Sequence, residues 1–399
     1  MKKLLILGGS RYIIPAIEAA HKLGVYVITC DYLPDNIGHR YSDEYHNVSI
    51  IEKEKVLELA KSLHVDGILS FATDPGVEAA AYAAEKLGLP TSPYKSVHIL
   101  QNKNLFRAFL REHGFNVPWF KSYSNMAEAM HEQESFPYPV VVKPVDSAGS
   151  KGVTRIDRKD ELEAAIQHAL FYSQNGRFII EEFIQQQGCA SDTDCFSIND
   201  KLVFASFNCQ HFDSKAENPY TPAGYTWPSD MPGNALAELR SELQRLIQLL
   251  HMGTSIYNIE CRLGMNGKTY LMEVSPRAGG NRLSEMLCHI CNQDLISNNV
   301  KAALGMPLDE LHDPEYQGTW AELVVHSDKT GIFKNVWIDP GIMEKNVIEK
   351  DIWVKSGDQV QVFTGANETI GTIVLRCRSH EEAEQMISHP ERWIKVIVD

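Results

Sequence analysis

At 399 residues with a formal charge of −14, the chain has room for roughly two to three domains and is too acidic to offer a general nucleic-acid or anionic-membrane surface. An anionic ligand would need a local cluster of Lys and Arg. The eight cysteines are scattered through apolar runs, which argues against a secreted disulfide framework, and no stretch is long and apolar enough for a transmembrane helix.

The N-terminal region, 1–93, alternates strand and helix patterns: strands at 3–7, 25–30 and 67–71, helices at 11–23, 56–63 and 75–87. Such alternation predicts a doubly wound parallel sheet. Met1-Lys2-Lys3 before a short apolar run is read as the lead into a first buried strand, not as a signal peptide, so a cytoplasmic protein is expected. Strand, glycine turn, helix and a strand ending at Asp31 is also the layout of a dinucleotide site. The turn Gly8-Gly9-Ser10-Arg11-Tyr12-Ile13 lacks the later glycines of that fingerprint, which disfavours NAD(P). Asp31 and Asp74, each following a strand, either face a shared crevice or cap their loops.

A helix is expected over 96–112, carrying Lys103, and a second helical piece near 126–134. The run 139–144 reads as a buried strand ending in Lys143, and a lysine buried there demands an anionic partner. Asp146-Ser147-Ala148-Gly149-Ser150-Lys151-Gly152-Val153 follows, a small-residue loop rich in backbone N–H groups that either wraps phosphates or is a plain hairpin connection. It is not a P-loop, because it leads into a strand at 153–156.

A helix at 159–171 and a strand at 177–180 lead to Glu181-Glu182-Phe183-Ile184, where carboxylates and backbone polar groups sit beside aliphatic side chains, a mixture suited to an adenine ring. Asp192 and Asp194 alternate along a strand and share a face, where one could hold ribose hydroxyls. Strands at 195–198 and 202–209 precede an irregular segment, 214–233, read as a substrate-facing loop, and an amphipathic helix at 235–251.

The richest stretch is 257–281, YNIECRLGMNGKTYLMEVSPRAGGN. Two strands around Gly264-Met265-Asn266-Gly267 form a hairpin in which Glu260 and Glu273 can meet, with Arg262 on the face of Glu260 and Ser275 and Arg277 on that of Glu273. Two carboxylates meeting in a strand pair repel unless a cation lies between them, and an all-oxygen set suits Mg²⁺ with phosphate oxygens; the same pattern also fits two solvated carboxylates. Cys288-His289-Ile290-Cys291 has CxxC spacing inside a helical pattern and is read as a buried helix face. Beyond it, strands are expected at 319–325, 348–354, 359–363, 369–377 and 393–398, with a helix at 380–388.

Taken in order, Lys103, Lys143 in VVVKP, the loop SAGSKGV, the hinge EEFI, Glu260 in NIECRL and Glu273 to Asn281 in MEVSPRAGGN resemble the ATP-grasp superfamily, of carboxylate–amine ligase type. The resemblance implies a mixed α/β and α+β chain. Its parts are a parallel-sheet domain (1–93), linker helices and an ATP-grasp lid subdomain (94–184), a catalytic subdomain (185–305) and a small C-terminal α+β domain (306–399). It implies ATP with Mg²⁺, or Mn²⁺ in its place. Lys103 and Lys143 would contact the phosphates, and Ser147, Gly149, Ser150 and Gly152 would close over them. Glu181, Glu182, Phe183, Ile184 and Leu271 would hold adenine, and Asp192 and Asp194 the ribose. Glu260, Glu273 and Ser275 would bind metal, and Arg277 the substrate carboxylate. Many family members carry Asn where Ser275 stands, so water or Asn281 would complete one metal shell. The implied reaction joins a small carboxylic acid, an amino acid or peptide, to an amine through an acyl phosphate, releasing ADP and phosphate. A carboxylase or carbamoyl-phosphate-like enzyme is the alternative. Small-molecule substrates, no nucleic acid, no membrane and a homodimer complete the expectation.

Overall fold

The computed structural model describes residues 1–147 and 149–399; Ala148, within the expected phosphate loop, lies outside the described residues. The chain divides into two compact units, one made of Met1–Gln185, Thr193–Ser206 and Gly233–Pro314, the other of Gln186–Asp192, Phe207–Pro232 and Glu315–Asp399. Among the described residues no helix is long and apolar enough to cross a membrane.

The first unit opens with the parallel sheet that the alternating pattern predicts. Its strands β1 (Lys3–Leu7), β2 (Tyr26–Cys30), β3 (Glu44–His46) and β4 (Gly67–Ser70) take the order β3-β2-β1-β4. Leu5, Leu7, Ile28 and Ile68 pack on Val56, Ala60 and the alanine-rich face of Val77–Leu87, a core that only small helical residues let close. The glycine turn after β1 is closely packed: a side chain at Gly9 would run into the His39 ring. Asp31 caps its own loop, accepting from Asn36 Nδ2 at 3.0 Å and Leu33 N at 3.3 Å.

The single helix expected over 96–112 is two, Tyr94–Gln101 and Lys103–Glu112. Asn102 between them is extended, with φ −110° and ψ 108°, because its neighbours are claimed by tertiary partners. Its amide Nδ2 donates to Glu78 at 2.9 Å, and the Lys103 N–H donates to Val145 O at 3.1 Å. Lys103 therefore opens a helix instead of lying within one.

Strands β5 (Phe120–Tyr123), β6 (Val140–Pro144), β7 (Thr154–Ile156) and β8 (Phe178–Glu182) form an antiparallel sheet, order β5-β8-β6-β7. The helix Leu162–Tyr172 covers it through Leu162, Ala165, Ile166 and Ala169. A second antiparallel sheet, order β10-β9-β13-β14, joins β9 (Ser191–Ile198), β10 (Lys201–Ala205), β13 (Ser255–Leu263) and β14 (Thr269–Ser275). Helix Gly233–Leu249 packs beneath it through Leu239, Leu243 and Leu246.

In the second unit the expected strand 202–209 is cut after Ala205, and its last residue begins β11 (Cys209–Phe212) in a different sheet. The segment 214–233 is only partly irregular, because Pro222–Trp227 is β12, paired with β11 and with β15 (Thr319–Val325). Its Pro and Gly disguised it as a loop. β17 (Val347–Ile352) and β19 (Gly371–Cys377) complete that sheet, order β11-β12-β15-β19-β17. A smaller sheet sets β16 (Gly331–Ile338), unexpected from the pattern, between β18 (Gln359–Val360) and β20 (Ile394–Val398). The two sheets share a core with the helix His380–Ser388.

Candidate active site

The carboxylate hairpin forms in the expected register. Glu260 on β13 stands directly opposite Glu273 on β14, with a bulge immediately after Glu260. Arg262 lies on the face of Glu260 and takes its Oε1 at 2.7 Å, leaving Oε2. Burial pushes the Glu260 carboxyl up, but Arg262 and, at longer range, Lys143 and Arg107 outweigh it and hold the group below its usual value. Glu273 remains 39% exposed, and Lys103 Nζ stands 3.9 Å from its Oε2. The same Nζ donates to Ser147 O at 2.7 Å, which ties the small-residue loop to the helix start.

Behind this pair lies a buried group that the sequence reading did not foresee as one. Lys143 Nζ contacts Glu181 Oε2 at 2.5 Å, and Arg107 Nε approaches Glu181 Oε1 at 2.9 Å. The guanidinium lies off the hydrogen-bonding direction, so this second contact is an ion pair. Burial raises the Glu181 carboxyl, yet Arg107 and Lys143 together bring it down to about 2. Burial pushes Lys143 the other way; Glu181 resists, while Arg107 and Lys103 add to the downward push. One carboxylate serving a lysine and an arginine, with Lys103 nearby, leaves an excess of positive charge that an anion would relieve. Arg107 was missed, although its spacing of four from Lys103 on an amphipathic helix marks both for one face.

The third element is the loop after β14. Arg277 grips Asp74 with Nε to Oδ1 at 2.8 Å and Nη2 to Oδ2 at 2.6 Å. Ser275 Oγ donates to Asp74 Oδ1 at 2.8 Å and accepts from Gln101 Nε2 at 2.8 Å, which leaves it one lone pair. Burial raises the Asp74 carboxyl, but the charge and hydrogen bonds of Arg277 hold it below the usual range. Asn281 closes the loop at φ 48° and accepts from Tyr12 OH at 3.3 Å. Asp194 fastens the same loop from β9, accepting from Gly279 N at 2.8 Å and Ser284 Oγ at 2.5 Å.

The remaining expected residues fall nearby or apart. Gly149, Ser150 and Gly152 all have positive φ. Glu182 Oε2 accepts from Trp119 N at 3.2 Å, and Phe183 N donates to Pro139 O at 2.9 Å. Ile184 and Leu271 are buried. Asp192 belongs to the second unit, where it accepts from Gln210 Nε2 at 3.0 Å and Tyr225 OH at 3.3 Å. In Leu283–Cys291 the buried face is Leu283, Met286, Leu287 and Ile290, whereas Cys288 is exposed, so the CxxC pair does not form a buried helix face.

Facing carboxylates in front of buried cations suit a polyanion held partly through a hard divalent ion. Residues 136–285 match the ATP-grasp domain family. That segment is an ATP-grasp domain. It contains the lysine strand β6, the small-residue loop and the whole carboxylate hairpin. Among curated relatives, the chain is 23% identical over 228 residues to the carbamoyl phosphate synthase large chain of Thermotoga petrophila, covering 56% of this chain but only 20% of that protein. It is 25% identical over 405 residues to the formate-dependent phosphoribosylglycinamide formyltransferase of Burkholderia thailandensis, covering 92% of this chain and 91% of that one. Among solved structures, an L-amino acid ligase from Bacillus licheniformis superposes with a TM-score of 0.81, with 21% identity over 100% of this chain and 99% of that one. That likeness shows a shared fold.

Proposed function

We propose that the protein is an ATP-dependent, ADP-forming carboxylate–amine ligase. The observation that carries the reading is Glu260 directly opposite Glu273 with Lys103 Nζ 3.9 Å from the latter, a paired-carboxylate and cation arrangement suited to a metal-bound triphosphate. The donor set fits Mg²⁺, being two carboxylates on a half-exposed hairpin, with Glu260 Oε2 outside its ion pair. When bound there, the ion supplies charge neutralisation on the phosphates.

Within this reading Lys103 and Lys143 bind phosphates, and Ser147, Gly149, Ser150 and Gly152 close over them. Glu181, expected at the adenine, instead holds Lys143 and Arg107 in place, while Glu182, Phe183, Ile184 and Leu271 line the base; Asp194, fully buried and bound to Gly279 N and Ser284 Oγ, fastens the hairpin loop instead of meeting a ribose. Ser275 and Asn281 complete the metal surroundings, and Arg277 receives the substrate carboxylate. A carboxylate resists attack by an amine because its leaving group would be oxide, so the cations must first help to place phosphate on that oxygen. Mn²⁺ in place of Mg²⁺, a homodimer and a cytoplasmic setting belong to the same proposal, as does a four-part division at 93, 184 and 305.

The acid is small: formate, named in the formyltransferases matched along most of the chain, and amino acids, named in the ligase of similar fold, are the first two to test. The carbamoyl phosphate synthase matches favour bicarbonate as a second reading. With ATP, one acid and no amine, hydroxylamine should trap a hydroxamate with release of ADP, and Glu273→Gln should sharply lower its yield at a fixed Mg²⁺ concentration. Release of AMP, or a hydroxamate yield untouched by Glu273→Gln, sinks the proposal. Phosphate release that requires bicarbonate alone selects the second reading.

A further inference from the structure

The second unit gathers sulfur, imidazole and carboxylate at one place that the ligase reading does not use. Cys209 and His211 are two residues apart on β11 and therefore share a face. Cys189 is brought beside them because Ala190 bridges to Gln210, whose N–H donates to Ala190 O at 2.8 Å. Glu384 comes from the helix His380–Ser388, and Asp230 follows β12. The ligand atoms of Cys189, Cys209 and Asp230 lie within 4.8 Å of one another, as do those of Cys189, His211 and Glu384, so Cys189 is common to both sets.

The contacts inside the cluster leave a place for a cation. Cys209 Sγ is 3.1 Å from Asp230 Oδ1 and accepts from Asp230 N at 3.3 Å, while Cys189 Sγ is 3.8 Å from Glu384 Oε1. His211 Nε2 is 3.0 Å from Thr226 Oγ1, and its Nδ1 is 3.9 Å from Glu384 Oε2. When Nε2–H donates to Thr226, Nδ1 presents its lone pair toward the Glu384 carboxylate, a facing pair that a proton or a metal cation can bridge. An outer hydroxyl that fixes the tautomer is the arrangement that metal-ligating histidines use. One helical turn before Glu384, His380 Nε2 is buried with no hydrogen-bond partner among the described residues.

We infer that Cys189, His211 and Glu384, with Cys209 drawn in beside Cys189 on binding, form a structural site for a thiophilic divalent cation, Zn²⁺ by preference. Hard ions such as Mg²⁺ avoid sulfur, whereas zinc takes two thiolates, an imidazole and a carboxylate tetrahedrally at about 2.0–2.3 Å. Binding converts two thiols to thiolates and releases their two protons to solvent. Asp230 N then donates to the Cys209 thiolate. Four protein ligands leave no open coordination position, so the ion clasps the segment before β9, strand β11 and the last helix together.

The test uses the full-length chain, stripped with chelator and reductant and then titrated with Co²⁺ and Zn²⁺ in magnesium-free buffer without nucleotide, so its outcome is independent of the ligase reading. One equivalent of Co²⁺ should give a thiolate-to-metal charge-transfer band that Zn²⁺ bleaches, and Zn²⁺ should raise the melting temperature. Cys209→Ser and His211→Gln should remove the stoichiometric site. Thr226→Val, which keeps all four ligands, should weaken Zn²⁺ about 10- to 100-fold. Cys288→Ser should change nothing. Absence of the charge-transfer band in the unaltered chain overturns the inference, as does a band that survives Cys189→Ser and Cys209→Ser or disappears with Cys288→Ser. Quantitative recovery of a Cys189–Cys209 disulfide from protein purified without reductant also overturns it.

Discussion

Arg277 and Asp74, 203 residues apart in the chain, meet in a two-pronged ion pair with contacts of 2.8 and 2.6 Å. The fork joins the loop after the carboxylate hairpin to the end of the parallel sheet. It also fixes the guanidinium plane of Arg277, the residue proposed to receive the substrate carboxylate.

Asp74→Asn keeps the shape but removes the charge and one acceptor. Hydrogen bonds to charged groups contribute about 1.5–3 kcal/mol, so the variant should unfold earlier in urea by roughly that amount. If Asp74 also aims Arg277, the KM for the acid should rise while nucleotide affinity holds. Unchanged KM with lowered stability would leave Asp74 a purely structural partner.

Lys143→Ala removes the cation beside Glu181 that the proposed function assigns to phosphate. A loss of roughly 2–4 kcal/mol in nucleotide or transition-state binding is expected, with the fold retained. Near-native turnover would show that the phosphates lie elsewhere.

Arg107→Met leaves Glu181 to Lys143 alone. Breaking a buried ion pair on one side costs about 3–5 kcal/mol, and the added change Glu181→Gln should recover part of it. Urea unfolding of both variants measures this. The sign of the pH dependence follows from Glu181: its carboxyl is depressed to about 2 from 4.5, so its stabilising contribution is complete above the ordinary value and is lost as pH falls toward 2.

Asp194 behaves in the opposite sense. Burial, only partly offset by Ser284 and Gly279, raises its carboxyl from 3.8 to about 6. The folded chain thus holds a proton that the unfolded chain releases between those values, and stability falls as pH rises through that window. The total is about 2–3 kcal/mol. Asp194→Asn, which still accepts from Gly279 N, should flatten the difference in melting temperature between pH 4 and pH 7. A variant whose pH profile parallels the unaltered chain would refute the assignment.

Metal dependence gives a further check. Glu260→Gln and Glu273→Gln should each raise the Mg²⁺ needed for half-maximal phosphate release, with Glu273 the more severe because Glu260 is already shared with Arg262. Equal, small effects would place the ion off the hairpin.

By itself the sequence determined what local periodicity and spacing can encode. Alternating apolar runs specified the parallel sheet, and a glycine–asparagine turn between two strands put Glu260 opposite Glu273, because side chains on paired strands can meet in only a few registers. The lysine at the end of β6 was legible because charge at the end of an apolar strand requires a partner.

Only the tertiary structure decided who those partners are. Asn102 breaks a helix that local pattern would continue, because Glu78 and the Val145 carbonyl compete for its neighbourhood. Pro222–Trp227 is a strand despite its proline and glycine, because β11 and β15 offer it hydrogen bonds on both sides. Arg107 with Glu181, Asp74 with Arg277, and Cys189 with His211 are pairs distant in the chain. Their meeting depends on how sheets and helices pack, and burial then sets their charge states, which no local spacing records.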